Sequence, residues 1–232
     1  EAISIRDELL RVVSHDLKNP LGGITTNLDF AGILLMRAGN TERAWEALKR
    51  ARMAAHKMTG MVEELLDFGR LQADMAIELH RETVDLAAML RETVSQYSPS
   101  SGGHQIRLEV MEERFTGYWD GPRLERVFAN LLTNAIKYSP DGGDIAVTLG
   151  MQSDAEGTWA VVTFSDEGIG IPPGDLPFIF EWYRRARNVK GRISGSGIGL
   201  ATSRRIVEQH DGDITAASQE GVGTTFTVRL PL

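Results

Sequence analysis

Apolar residues recur along the first third of the chain at steps of three and four. Leu10, Val13, Leu17, Leu21, Ile24, Leu28, Ala31 and Leu35 follow one another at intervals of 3, 4, 4, 3, 4, 3 and 4. That is one face of an α-helix from Ile3 to about Met36. The seam is a heptad with one stutter at Pro20, where the missing N–H favours a bend. Ala38-Gly39-Asn40-Thr41 supplies a stop and an N-cap. A second seam of Ala44, Leu48, Ala51, Ala55, Met58, Val62 and Leu65 then carries a helix to about Leu71. Two long helices joined by a short loop predict an antiparallel hairpin. A hairpin cannot enclose a core, so the pattern predicts a four-helix bundle formed by dimerisation. Packing against the following domain is the alternative.

Gln72 to Ile77 is weakly patterned and reads as a hinge, giving domains at 1–73 and 74–232. Beyond it strands and helices interleave: a strand at Glu82-Thr83-Val84, a helix from Leu86 to Tyr97, and strands over His104 to Met111 and Thr116 to Trp119. Arg123 to Lys137 carries Leu124, Val127, Leu131 and Ala135 at helical spacing, and Ser139-Pro140-Asp141-Gly142-Gly143 ends it. Ile145 to Met151 and Trp159 to Ser165 predict a strand pair. A glycine- and arginine-bearing segment follows, then a helix from Ile198 to His210 and a hairpin of Gly212 to Ser218 with Thr224 to Leu230. The expected second domain is an α+β sandwich, a mixed sheet covered on one face by helices.

Composition narrows the function classes. Of 232 residues 42% are hydrophobic, enough for a packed core, and the net charge of −7 argues against a nucleic-acid surface. With no cysteine, disulfides and thiolate metal sites are excluded. No apolar run approaches the ~20 residues of a membrane span, so the expected location is cytoplasmic, with membrane attachment of a longer parent left open. Glu1 falls in mid-helix, and the chain reads as a fragment.

The candidate chemistry begins at Ser14-His15-Asp16-Leu17-Lys18-Asn19-Pro20-Leu21. At about 100° per residue His15 lies roughly 165° from the apolar stripe and faces solvent. Asn19 is one turn on along the same face, and Asp16 is the neighbour able to orient the imidazole. Alone, this is as compatible with a solvated histidine. In the second domain Asn130, Asn134 and Lys137 share a helix face; amide oxygens suit a hard cation, a lysine suits phosphate, and Tyr138 can stack on a base. Asp166-Glu167-Gly168-Ile169-Gly170 follows a strand directly. Its carboxylate can accept from an exocyclic amine while the glycines leave room for a flat ring. Gly195-Ser196-Gly197-Ile198-Gly199-Leu200 precedes a helix, where bare amides cradle phosphate. It is neither a Walker A loop nor a GxGxxG fingerprint. Between them Phe178 to Arg187 offers aromatics for a lid and arginines for a phosphate. Thr224 or Thr225 can bond the base. Each stretch alone has a plain structural reading: a surface helix, a tight turn, a basic loop.

Together and in this order these stretches resemble the sensor histidine kinases of two-component systems, across essentially the whole chain. The resemblance supplies an H box at His15, an N box from Asn130 to Tyr138, a G1 box at Asp166 to Gly170, an F box at Phe178 to Tyr183 and a G2 box at Gly195 to Gly199. It implies a dimerisation and histidine-phosphotransfer domain followed by a Bergerat ATP-binding fold, with ATP and Mg²⁺ as cofactors. By the same resemblance His15 is the phosphoacceptor, Asp16 its acid–base neighbour, and Asn19 the residue serving the reverse, phosphatase reaction. Asn134 with Asn130 engages Mg²⁺, Lys137 meets phosphate, Tyr138 the adenine face and Asp166 the adenine amine. Arg185 aligns with the lid arginine, with Arg184 and Arg187 as alternatives. Implied partners are a second copy, a response-regulator receiver domain and an upstream sensor domain. Lys18, and Trp182-Tyr183-Arg184-Arg185, depart from the common family patterns. In related ATPases a glutamate activating water stands where this chain has Asn130, which disfavours the competing reading of hydrolysis to water. A nucleotide-degenerate phosphotransfer scaffold is the non-catalytic alternative.

Overall fold

The computed structural model describes residues 21–35, 41–72, 79–98, 103–112, 114–155, 157–189, 193 and 195–232. His15, Asp16, Asn19, Pro20 and the Gly39 loop lie outside the described residues. The chain divides into two compact units, Glu1–Ala76 and Ile77–Leu232.

The first unit contains a helix at residues 21–35 (α1) and a helix at Thr41–Gln72 (α2). Where they pack, the buried residues are mostly small: Ala31, Ala44 and Ala47 with one leucine, Leu34, and with Leu48 at the margin. Alanines let helix backbones approach closely, and the position of a Cβ on Gly23 lies 4.0 Å from the Ala54 Cβ. Arg50 Nε donates to Asn27 Oδ1 at 3.1 Å beside this seam. The heptad leucines stay out of it: Leu21, Leu28 and Leu35 are 51%, 49% and 57% exposed. Among the described residues no helix is long and apolar enough to cross a membrane.

The second unit holds β1 (Glu82–Asp85), α3 (Leu86–Tyr97), β2 (His104–Val110), β3 (Thr116–Trp119), α4 (Gly121–Lys137), β4 (Gly143–Asp154), β5 (Gly157–Asp166), α5 (Gly199–Gln209), β6 (Asp213–Gln219) and β7 (Gly223–Pro231). β1 and β3 form a separate antiparallel ribbon, and the main sheet has the order β2-β4-β5-β7-β6. Only β2–β4 is parallel within it, so the sheet is mixed, as the strand and helix pattern predicts. Local chemistry starts the helices. Asp85 caps α3 by accepting from the Ala88 N–H at 3.0 Å, and Asp120 caps α4, with Pro122 in its first turn. The cap explains why α4 begins at Gly121, three residues before the first apolar repeat at Leu124.

Alternate strand residues face the helices. Ile145, Val147, Leu149, Ala160, Val162, Phe164, Phe226, Val228 and Leu230 are buried beneath Leu124, Phe128, Leu131, Leu132 and Ile206. The Phe128 and Phe164 rings stack 5.9 Å apart at the centre. The opposite sheet face is polar. Thr148, Thr163, Thr227 and Thr215 lie side by side across four strands, with the first two hydroxyls 2.6 Å apart. The β4–β5 hairpin is longer than its apolar pattern, because exposed Gln152 and Ser153 continue the pairing.

Candidate nucleotide site

The site residues come from the C-terminal half of α4, the end of β5 and the loop opening α5. Asp166 closes β5 opposite Thr224. It is only 8% exposed, and its Oδ1 accepts the Gly168 N–H at 2.9 Å and the Thr224 N–H at 3.3 Å. Oδ2 takes part in no hydrogen bond among the described residues. Burial raises the carboxyl pKa above its ordinary value, and the Gly168 and Thr224 amides pull it part of the way back. A carboxylate aimed by two amides, with the second oxygen uncommitted, is an acceptor for a donor from outside the protein.

Lys137 and Tyr138 end α4. The Lys137 ammonium lies 4.8 Å from the Tyr138 ring centroid and donates to its hydroxyl at 3.3 Å. Burial raises the Tyr138 phenol pKa, and the positive charge of Arg185 opposes the shift. A Cβ on Gly195 would fall 2.8 Å from Lys137 Nζ, which places the glycine loop against the ammonium. α5 opens from Ile198 with no side-chain cap, and Ser196 Oγ accepts the Ile198 N–H at 3.3 Å. Uncapped amides beside a lysine suit an anion.

Asn130 Nδ2 donates to Ser203 Oγ at 2.9 Å, tying α4 to α5. A Cβ on Gly199 would come within 2.6 Å of Asn130 Oδ1, so Gly199 is required by the helix contact. Asn134 lies one turn after Asn130 on α4, and its carbonyl accepts the Tyr138 N–H. Leu200 is half buried against the core. Among the described residues no group of histidines or carboxylates forms a metal cluster.

Two expectations are corrected. The glycines after Asp166 were expected to clear space for a ring, but their missing side chains point into the protein. A Cβ on Gly168 would lie 2.2 Å from the Tyr138 carbonyl oxygen, and one on Gly170 (φ 62°) 2.1 Å from that of Gln219. The G1 loop is squeezed between the end of α4 and the β6–β7 turn, bonded through Ile169 N to Tyr138 O and Gly221 N to Ile169 O. The alternative of Thr225 contacting the base also falls, because adjacent strand residues point to opposite faces. Thr225 pairs with Ser165 on the outer face at 2.9 Å, whereas Thr224 shares the face of Asp166.

The lid separates the three arginines. Arg184 stacks on Phe178, 4.9 Å from its centroid. Arg187 is held by buried Asp175, whose Oδ2 accepts the Arg187 N–H at 2.8 Å. Arg185 donates to the carbonyls of Val189 and Ile193, and its buried Nε has no partner among the described residues. Tyr183 holds a left-handed φ of 61° and donates its N–H to the Gly197 carbonyl at 3.0 Å, joining lid and glycine loop. Gly197 is needed there, since its Cβ would meet the Tyr183 and Arg184 backbone at 2.9 Å. Sequence reasoning passed over Ser203 and Asp175. Ser203 was open to it, one turn beyond Gly199 on a helix.

Comparison with known proteins gives this geometry a family. Residues 5–74 match the family described as "His Kinase A (phospho-acceptor) domain". Residues 119–232 match "Histidine kinase-, DNA gyrase B-, and HSP90-like ATPase". The sensor-like histidine kinase SenX3 of Mycolicibacterium smegmatis is 31% identical over 231 residues, covering 97% of this chain and 57% of SenX3. The chain thus spans little more than half the length of that relative. The solved mycobacterial sensor histidine kinase MprB superposes with a TM-score of 0.56 at 28% identity, over 65% of this chain and 97% of that one. Full-length ShkA in complex with AMPPNP shares the fold at a TM-score of 0.63 and 24% identity, over 97% of this chain and 45% of that one. A phospho-acceptor domain followed by an ATP-binding domain, in a chain that aligns almost end to end with such a relative, places this protein among the sensor histidine kinases, as a catalytic core of that family.

Proposed function

We propose that the chain is an ATP-dependent protein-histidine kinase that phosphorylates itself on His15 and passes the phosphoryl group to an aspartate of a response regulator. The observation that carries the nucleotide half of this reading is Asp166, buried and aimed by two amides with Oδ2 uncommitted, on the same unit as Tyr138, Lys137 and the uncapped start of α5. Asp166 accepts the adenine amine, and the Tyr138 ring covers the base. Lys137 and the α5 amides neutralise phosphate charge, while the amide oxygens of Asn134 and Asn130 would hold Mg²⁺, which would add charge neutralisation at the phosphates. Bound ATP supplies the phosphoryl group. Arg185, with an unpaired Nε, exchanges its lid carbonyls for the transferring oxygens and offsets their charge.

The Nε2 of His15 forms the new N–P bond as the bond between phosphorus and the bridging oxygen breaks and ADP leaves. Asp16 orients the ring and takes up its Nδ1 proton or the positive charge. Asn19 orients water for the reverse reaction on the regulator. The half-exposed row of Leu21, Leu28 and Leu35 supports a homodimeric bundle. An upstream sensor domain and a separate response regulator complete the pathway.

The test is acid-labile labelling from γ-labelled ATP. His15→Gln is expected to abolish the label while nucleotide still binds, and a retained label overturns the assignment. Mixed dimers of His15→Gln and Asn134→Ala chains then separate transfer within a subunit from transfer across subunits.

A further inference from the structure

α4 and α5 run antiparallel, and the end of the pair remote from Asn134 is fastened by buried side chains that the proposed chemistry does not use. His210, wholly buried at the C-terminus of α5, accepts the Asp120 N–H on Nε2 at 2.9 Å. Its Nδ1–H donates to the Ile206 carbonyl at 2.7 Å. This arrangement requires the neutral ring protonated on Nδ1. Burial favours that form by pushing the imidazole pKa down. Asp120 is also the N-cap of α4. Its Oδ1 accepts the Arg123 N–H at 3.2 Å, and its Oδ2 pairs with the Arg123 guanidinium at 3.2 Å.

A third segment grips the same place. Residues 79–81 are the first described after the connector from the helical unit. His80 N–H donates to Asp120 Oδ2 at 2.9 Å, at the start of α4. The Arg81 guanidinium donates to the Gln209 carbonyl at 2.7 Å and to Asp211 Oδ2 at 2.9 Å, at the end of α5. Residues 80 and 81 therefore place one hydrogen-bonded strut on each helix. At about 1.5 Å per residue Asn134 lies ~21 Å along the helix from Asp120, and a stiff helix carries a displacement at one end to the other. α5 meanwhile begins at Gly199, where the G2 loop closes on Asn130.

We propose that Arg81, Asp120 and His210 form a positioning joint through which residues 79–81 set the register of α4 against α5 and so the width of the nucleotide site. The proposal rests on reading that site as the nucleotide pocket. Coupling between two sites is reciprocal, so nucleotide binding should tighten the grip of residues 79–81 as much as that grip tightens nucleotide. Arg81 is the residue to perturb, because it is only half buried and its loss leaves the core packing intact.

The experiment compares amide hydrogen exchange and binding of a non-hydrolysable ATP analogue in the 232-residue chain with its Arg81→Ala and Arg81→Lys variants. Without nucleotide, Arg81→Ala is expected to speed exchange of the 133–137 and 200–203 amides about threefold or more while β5 amides stay unchanged. Affinity for the analogue should fall about fivefold, with most of it restored by Arg81→Lys. Saturating analogue should slow exchange at His80 and Arg81 in the parent chain. Acceleration confined to residues 79–81 and 209–211, with affinity unchanged, overturns the joint. A parent chain that binds no analogue defeats the reading of the pocket instead, and the nucleotide-free exchange still decides the joint.

Discussion

The helical hairpin buries alanines where the α/β unit buries phenylalanines and leucines. At the α1–α2 seam the buried residues are Ala31, Leu34, Ala44 and Ala47, and three heptad leucines remain about half exposed beside them. In the α/β unit Trp119, Phe115, Phe128 and Phe164 are enclosed completely or nearly so. Burial stabilises by roughly 25 cal/mol per Å² of apolar surface, so an alanine seam holds two helices close while contributing little. The leucines that would contribute more have no partner within the described hairpin. One unit encloses its own core; the other leaves a row of leucines about half exposed along α1.

The largest expected effect tests whether the α/β core is as cohesive as this. Phe128→Ala should cost about 3–5 kcal/mol, the range for emptying a buried aromatic site, as measured by denaturant unfolding of that unit. The dimer should persist. A loss under ~1 kcal/mol would mean that the stacked Phe128–Phe164 pair is not the centre of the core.

Next comes the hairpin. Leu28→Glu places a charge in the exposed leucine row and should weaken dimerisation about 100-fold, from roughly 1.5 kcal/mol of lost burial in each of two chains. Sedimentation across a concentration series reads this directly. Nucleotide affinity should change less than about twofold, since sites without shared contacts are nearly additive. An unchanged dimer would break the comparison outright.

At the site, Asp166→Ala removes a charged acceptor and should weaken nucleotide binding about 10- to 100-fold, in keeping with 1.5–3 kcal/mol for a hydrogen bond to a charged group. Calorimetric titration with ATP checks it. Thr225→Val should leave the affinity unchanged, because its hydroxyl pairs with Ser165 on the outer face.

The same contrast governs what could be read from sequence. The α3 boundaries at Leu86 and Tyr97 were legible because Asp85 offers a cap and the apolar period is unbroken. The mixed sheet followed from alternation and turn residues. The outer ends of β4 and β5 were not, because Gln152, Ser153 and Thr158 are polar and their pairing leaves no apolar trace. Site residues on a single element, such as Asn130, Asn134 and Lys137, were visible as a helix face. Long-range roles were hidden. Asp175 holds Arg187 across twelve residues and His210 meets Asp120 across ninety, and no local periodicity encodes either. Gly168 was recognised as special for the wrong reason, since what it avoids is the Tyr138 carbonyl on another element.

The smallest effect is a pH dependence confined to the closed unit. His210 is buried with its pKa lowered from the ordinary 6.5, chiefly by burial, then by the nearby Arg81 and Arg123 charges, while the Ile206 hydrogen bond and Asp120 oppose the shift. The folded state therefore holds the neutral ring more tightly than the unfolded chain does. The stability this confers is fully present above 6.5 and is lost as pH falls from there through the folded pKa. Asp166 shifts the other way, raised from 3.8. The folded state takes up that proton more readily, so the stability it contributes is fully present below 3.8, is lost as pH rises through the folded pKa, and opposes the acid loss from His210. Calorimetry from pH 8 to pH 5 should show the α/β transition falling by a few degrees, about 1.4 kcal/mol for each unit by which the pKa is lowered. His210→Gln keeps an amide near Nε2 but does not titrate, and should flatten the slope at some cost in stability. A slope that survives the substitution would assign the titration elsewhere and remove His210 from the joint between α4 and α5.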